Sequence, residues 1–97
     1  MVNLKLLDLY DNQLKEIKPF TFERLINLKE LNIYKNQIKT IQKDSFVGLI
    51  NLKILSLNKN QLKDLKPFLF EHLRELNDLD IGDNQIKHVK KSSFYGL

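Results

Sequence analysis

The residues best able to do chemistry in this 97-residue sequence are its carboxylates, histidines and lysines. Asp78, Asp80 and Asp83 lie close together, and Asp8 and Asp11 form a second group. Such groups could hold Ca²⁺, which takes about six to eight oxygen ligands. On an extended strand, however, the three aspartates spread over about 17 Å, too far for one ion without other ligands. A solvated acidic patch is therefore expected, with no metal. His72 and His88 could move protons, but they fall in different columns of the repeat described below, away from a shared pocket. No nucleophile sits in a recognisable motif, and three glycines form no phosphate-cradling loop. Neither catalysis nor a cofactor is expected.

Lysine supplies fourteen of the sixteen cations, and the formal net charge is +4. Lys15, Lys39, Lys63 and Lys87 recur at 24-residue intervals, reinforced by Lys18, Lys66, Lys90, Lys43 and Lys91. At the spacing of stacked repeats they would make a basic ridge able to grip a polyanion such as a glycosaminoglycan or a nucleic-acid backbone. The same lysines would also serve simply to keep the surface soluble. Arg-rich base readers and aromatic platforms are missing, so sequence-specific nucleic-acid recognition is not expected. The absence of cysteine excludes a disulfide framework and a thiolate metal site. No stretch approaches the roughly 20 apolar residues of a membrane span. No signal peptide is visible, and Asn-X-Ser/Thr does not occur.

What must position these side chains is a repeat. Aligned at 24 residues, Leu4, Leu28, Leu52 and Leu76 open four units. Leu7, Leu31, Leu55 and Leu79 follow, then Leu9, Ile33, Leu57 and Ile81, and then Asn12, Asn36, Asn60 and Asn84. Later columns hold Leu14, Ile38, Leu62 and Ile86, then Ile17, Ile41, Leu65 and Val89. Phe22, Phe46, Phe70 and Phe94 come next, and Leu25, Leu49, Leu73 and Leu97 close the pattern. Leu-x-Leu alternates at period two, the mark of a strand with one inward face. One strand per unit with a crossover between requires parallel pairing to the next unit. The Asn follows the strand, where backbone groups lose ladder partners that its amide can replace. The Phe column fills the space behind the sheet. A second period of 48 residues is visible as Lys18-Pro19-Phe20 returning at Lys66-Pro67-Phe68, and as Ser45-Phe46 returning at Ser93-Phe94. The geometry opposite the sheet should therefore alternate between odd and even units.

The pattern Leu-x-x-Leu-x-Leu-x-x-Asn-x-Leu-x-x-Leu-x-x-x-x-Phe-x-x-Leu resembles the 24-residue subfamily of the leucine-rich repeat family over residues 2–97. The resemblance implies an α/β-class curved solenoid with a four-stranded parallel β-sheet on its concave face and irregular or 3₁₀ convex segments. It also implies a non-catalytic module that binds a protein ligand on the concave face, in an extracellular setting. The expected units are 4–27, 28–51, 52–75 and 76–97, one array with no visible caps.

Between the inward leucines, three columns point onto the expected concave face. They read Leu6, Glu30, Ile54, Asp78; Asp8, Asn32, Ser56, Asp80; and Tyr10, Tyr34, Asn58, Gly82. Tyr10 and Tyr34 should be neighbours on this face, as anchors of a ligand site that includes Glu30, Asn32, Asn58 and Asp80. Strand propensity alone would also accommodate two exposed tyrosines. At the ends, Leu4 and Leu7 on one side and Phe94 and Leu97 on the other would show core residues. Either the chain is an excerpt of a longer repeat protein, or copies stack head to tail into filaments through these residues.

Overall fold

The computed structural model describes residues 4–63, 65–66 and 68–86. Each Leu-x-Leu stretch forms a short strand. These are β1 (Leu6–Asp8), β3 (Glu30–Asn32), β5 (Ile54–Ser56) and β6 (Asp78–Asp80). They pair in parallel in the order β1-β3-β5-β6. The register is constant, with Leu6 beside Glu30, Ile54 and Asp78, and Asp8 beside Asn32, Ser56 and Asp80. The chain thus stacks one short strand per 24-residue unit into a four-stranded parallel sheet.

Burial follows the columns. Leu28, Leu31, Ile33, Ile38, Leu52, Leu55 and Leu57 have no exposed surface. Each contributes about 1.5–3 kcal/mol relative to an exposed side chain, and each meets its equivalents in the repeats on either side, so the core is continuous. Phe46 and Phe70 are fully buried behind the sheet, with their rings stacked at a centroid distance of 6.2 Å.

The Asn column ties each repeat to its predecessor. Asn36 Oδ1 accepts from the N–H groups of Asn12 (2.8 Å) and Leu14 (3.0 Å), while its Nδ2 donates to the carbonyls of Leu9 (2.9 Å) and Ile33 (3.2 Å). Asn60 repeats this, accepting from Ile38 N–H (3.1 Å) and donating to Ile33 (3.0 Å) and Leu57 (2.9 Å). Asn84 does the same for Leu62, Leu57 and Ile81. The residue just before each Asn, namely Asp11, Lys35, Lys59 or Asp83, has a positive φ of 52–60°. That left-handed step turns the chain sharply enough to aim the amide inward, at a cost of about 1–2 kcal/mol for a residue with a Cβ.

Opposite the main sheet, the structure adds a feature absent from the expectation. A second parallel sheet pairs β2 (Glu16–Ile17) with β4 (Thr40–Ile41). The remaining return segments are successive turns with i, i+3 backbone hydrogen bonds, such as Glu23 N–H to Phe20 (3.3 Å) and Leu25 N–H to Phe22 (2.9 Å). These segments alternate as the 48-residue period implies. Phe20 and Phe68 take positive φ values of 64° and 59° in the odd repeats. In the second repeat, the buried Ser45 hydroxyl donates to Ile17 O (2.6 Å) and accepts from Gln42 N–H (3.0 Å). Gly48, at φ 100°, lies against the backbone of Glu23, leaving no room for a Cβ.

Two substitutions should expose this dependence. Asn60→Leu keeps the volume but strands the buried Ile38 N–H and leaves the Ile33 and Leu57 carbonyls with only the Asn36 and Asn84 amides, and it is expected to cost about 1–3 kcal/mol in urea unfolding. Gly48→Ala, both strained and in collision with Glu23, should destabilise by more than about 2 kcal/mol in the same assay.

Candidate recognition face

The outward side of the main sheet is built by the three columns. In the first, Leu6 is 53% exposed and Ile54 is 38% exposed, and they flank the half-buried Glu30. An exposed apolar pair therefore sits where the sequence singled out only Glu30. The middle column has a structural duty not foreseen from the sequence. Asp8 Oδ1, Asn32 Oδ1 and Asp80 Oδ1 each accept from the backbone N–H two residues ahead, of Tyr10, Tyr34 and Gly82, all at 3.0 Å. These side chains end the strand as Asx turns. In the third repeat Ser56 replaces the Asx residue, and its hydroxyl donates to Asn58 Oδ1 at 2.5 Å.

Because β1 and β3 end in the same Asx turn, the residues after it align, and Tyr10 and Tyr34 meet. Their rings stack at 5.1 Å between centroids and 8° between planes. The left-handed turn at Lys59 brings its Nζ over the ring of Tyr34, 5.6 Å from the centroid. Tyr34 thus lies between Tyr10 on one side and an ammonium on the other, while Tyr10 keeps 45% of its surface exposed. Lys59 was missed in the sequence because its column reads Asp11, Lys35, Lys59, Asp83, with no uniform type to mark it. Asn58 is half-buried beside this cluster, and Asp80 is exposed on β6.

The other predicted residues lie elsewhere. Lys15, Lys39 and Lys63 are exposed along the turns after the Asn column, and Lys87 lies outside the described residues. Leu4 and Leu7 are half-buried, whereas their equivalents Leu28 and Leu31 are fully buried; Phe94 and Leu97 lie outside the described residues. His72 is on a return segment, with Nε2 3.7 Å from Glu71 Oε1 and 3.9 Å from Asp44 Oδ1, while His88 is outside the described residues. Among the described residues no three His, Asp or Glu side chains come together to hold a metal, and no helix is long and apolar enough to cross a membrane.

The chain matches the leucine rich repeat family over residues 2–62 and 50–97. No curated protein matches it by sequence. Among solved structures it is similar to a chain in the crystal structure of a TLR13–ssRNA13 complex, at 34% identity and a TM-score of 0.84. The likeness covers 88% of this chain and 12% of that chain, so this sequence spans a small part of the longer one.

The tyrosine contact is open to measurement. In a double-mutant cycle of Tyr10→Ala and Tyr34→Ala, read by urea unfolding, the coupling energy should be about 1 kcal/mol. A coupling indistinguishable from zero would mean the rings do not stack in solution.

Proposed function

The chain belongs to the leucine-rich repeat family, and from that premise we propose that it is a non-catalytic recognition module taking a protein ligand on the outward face of its four-stranded sheet. The observation that carries this reading is the Tyr10–Tyr34–Lys59 cluster. Ordered, half-exposed tyrosines give broad contact area at low entropic cost and keep a hydroxyl for a polar partner. Leu6 and Ile54 extend the apolar contact along the same face.

The TLR13 structure to which the chain is similar is a complex with single-stranded RNA, which makes RNA a ligand to weigh here as well. Two features favour protein. Tyr34 is already engaged by Tyr10 and by Lys59 Nζ, which leaves Tyr10 as the one ring of the pair open to a base, fewer than the successive platforms a single strand uses. The strand residues Asp8, Glu30, Asp78 and Asp80 also put carboxylates on the face, which repel a phosphate backbone and suit a basic partner. The extracellular setting implied by the 24-residue pattern belongs to the same reading, as does the division into four repeats at 4–27, 28–51, 52–75 and 76–97 within a longer array.

A second reading is the stacking of copies through Leu4 and Leu7, which are half-buried where their equivalents Leu28 and Leu31 are fully buried. Light scattering across a range of concentrations separates the two, since stacking predicts mass that grows with concentration and that Leu7→Lys abolishes.

The main proposal is tested by photo-crosslinking from position 54, in the sheet face, followed by affinity measurement on the captured protein. The Tyr10→Ala/Tyr34→Ala double variant should weaken that affinity by at least about tenfold, the range of interface anchors. Unchanged affinity would overturn the site.

A further inference from the structure

The turns that follow the Asn column carry a second surface, with chemistry opposite to that of the sheet face. Two clefts open side by side along it. One, of about 350 Å³, is lined by Lys15, Gln37, Lys39 and Gln61. The next, of about 250 Å³, is lined by Lys39, Thr40, Lys63 and Lys66. Lys39 borders both, so together they make one groove crossing three repeats. Its walls are held in register by backbone hydrogen bonds from Lys39 N–H to Lys15 O (3.2 Å), Gln37 N–H to Leu14 O (2.8 Å) and Gln61 N–H to Ile38 O (2.9 Å). Parallel strands stack about 4.8 Å apart, so the backbone positions that carry these lysines recur along the groove at about that interval.

Among the described residues, every charged group lining the groove is a lysine. No carboxylate of a described residue comes within 4.0 Å of Lys15, Lys39, Lys63 or Lys66; the ion pairs among the described residues involve His72. In the β2–β4 ladder Thr40 stands beside Glu16, so the wall of the second cleft presents a hydroxyl where the first repeat has a carboxylate. Asp64, the equivalent in the third repeat, lies outside the described residues. These four cations, with no carboxylate partner among the described residues, repel one another and gain from an anion that bridges them. A single small anion cannot span three repeats, but a polymer can.

We propose that this groove binds a linear sulfated polysaccharide, with the lysines pairing its sulfates and the side chains of Gln37, Gln61 and Thr40 hydrogen-bonding its hydroxyls. The lining favours a sugar polymer over a nucleic acid. Among the described residues it contains no aromatic side chain on which a base could stack. It contains no Arg fork, the group best shaped for bidentate phosphate contacts, and its charges are compact ammonium points. Amides and a hydroxyl interleaved with those points match a chain that alternates sulfates with hydroxyls. The groove and the sheet face are separate surfaces, so this proposal stands or falls independently of the protein ligand.

The test is fluorescence anisotropy of labelled heparin oligosaccharide titrated with the intact chain, beside a single-stranded RNA of the same total charge. Heparin should bind more tightly than the RNA, and its log affinity should fall against log salt with a slope on the order of −3, four charges at the single-strand value per charge. Lys39→Gln/Lys63→Gln should weaken heparin binding by about tenfold or more at low salt. Lys5→Gln/Lys53→Gln, which changes the net charge equally, should weaken it less than about twofold. Tyr10→Ala/Tyr34→Ala should leave it unchanged. Three outcomes would each overturn the proposal: equal losses from the two lysine pairs, RNA binding as tight as heparin binding, or no heparin binding at about 50 mM salt.

Discussion

A parallel strand only three residues long cannot satisfy the backbone beyond its own end, and in this chain the inward Asn does so instead. Asn36, Asn60 and Asn84 each accept from the repeat before and donate both to that repeat and to their own. Without that link the strand ladders would still pair one repeat with the next, but the turns that follow the strands would lose the inward partners of their N–H and carbonyl groups. Constant register is what brings Tyr10 onto Tyr34 and Lys39 beside Lys15. The left-handed residue before each Asn is a local strain that persists because the amide it aims is fully used. Both candidate surfaces depend on this one column, since both consist of side chains flanking it.

The parts of the fold readable from sequence were those with one residue type per column. Leu31 and Leu55, Asn36 and Asn60, and Phe46 and Phe70 occupy buried positions where only one shape fits, so the pattern survives and can be seen. The β2–β4 sheet was not readable because Glu16-Ile17 and Thr40-Ile41 are too short to alternate. The Asx turns were hidden for a different reason. Asp8, Asn32 and Asp80 look like ordinary surface polar residues, and only the coordinates show an oxygen committed to the backbone. Lys59 over Tyr34 is a contact between columns, which a column-by-column reading does not detect.

The two surfaces divide the chemistry. The sheet face combines stacked aromatics, exposed Leu6 and Ile54, and carboxylates, a mixture suited to a folded partner of complementary charge. Among the described residues the lysine groove is lined by no aromatic and no carboxylate, and it follows the solenoid axis, which suits an extended anionic chain. A repeat architecture permits this separation because each column can change without disturbing its neighbours, provided the buried ones stay constant.

Backbone amide hydrogen exchange tests most directly whether the Asn column holds these surfaces in place. The N–H groups of Ile38 and Leu62 are bonded only through the side chains of Asn60 and Asn84, whereas those of Ile33 and Leu57 are bonded within the main sheet ladder to Ser56 O and Asp80 O. If the column is the structural link, Ile38 and Leu62 should exchange within about tenfold of Ile33 and Leu57, through the same cooperative opening. Exchange of Ile38 and Leu62 at the rate of an unstructured peptide, with Ile33 and Leu57 still protected, would contradict the account.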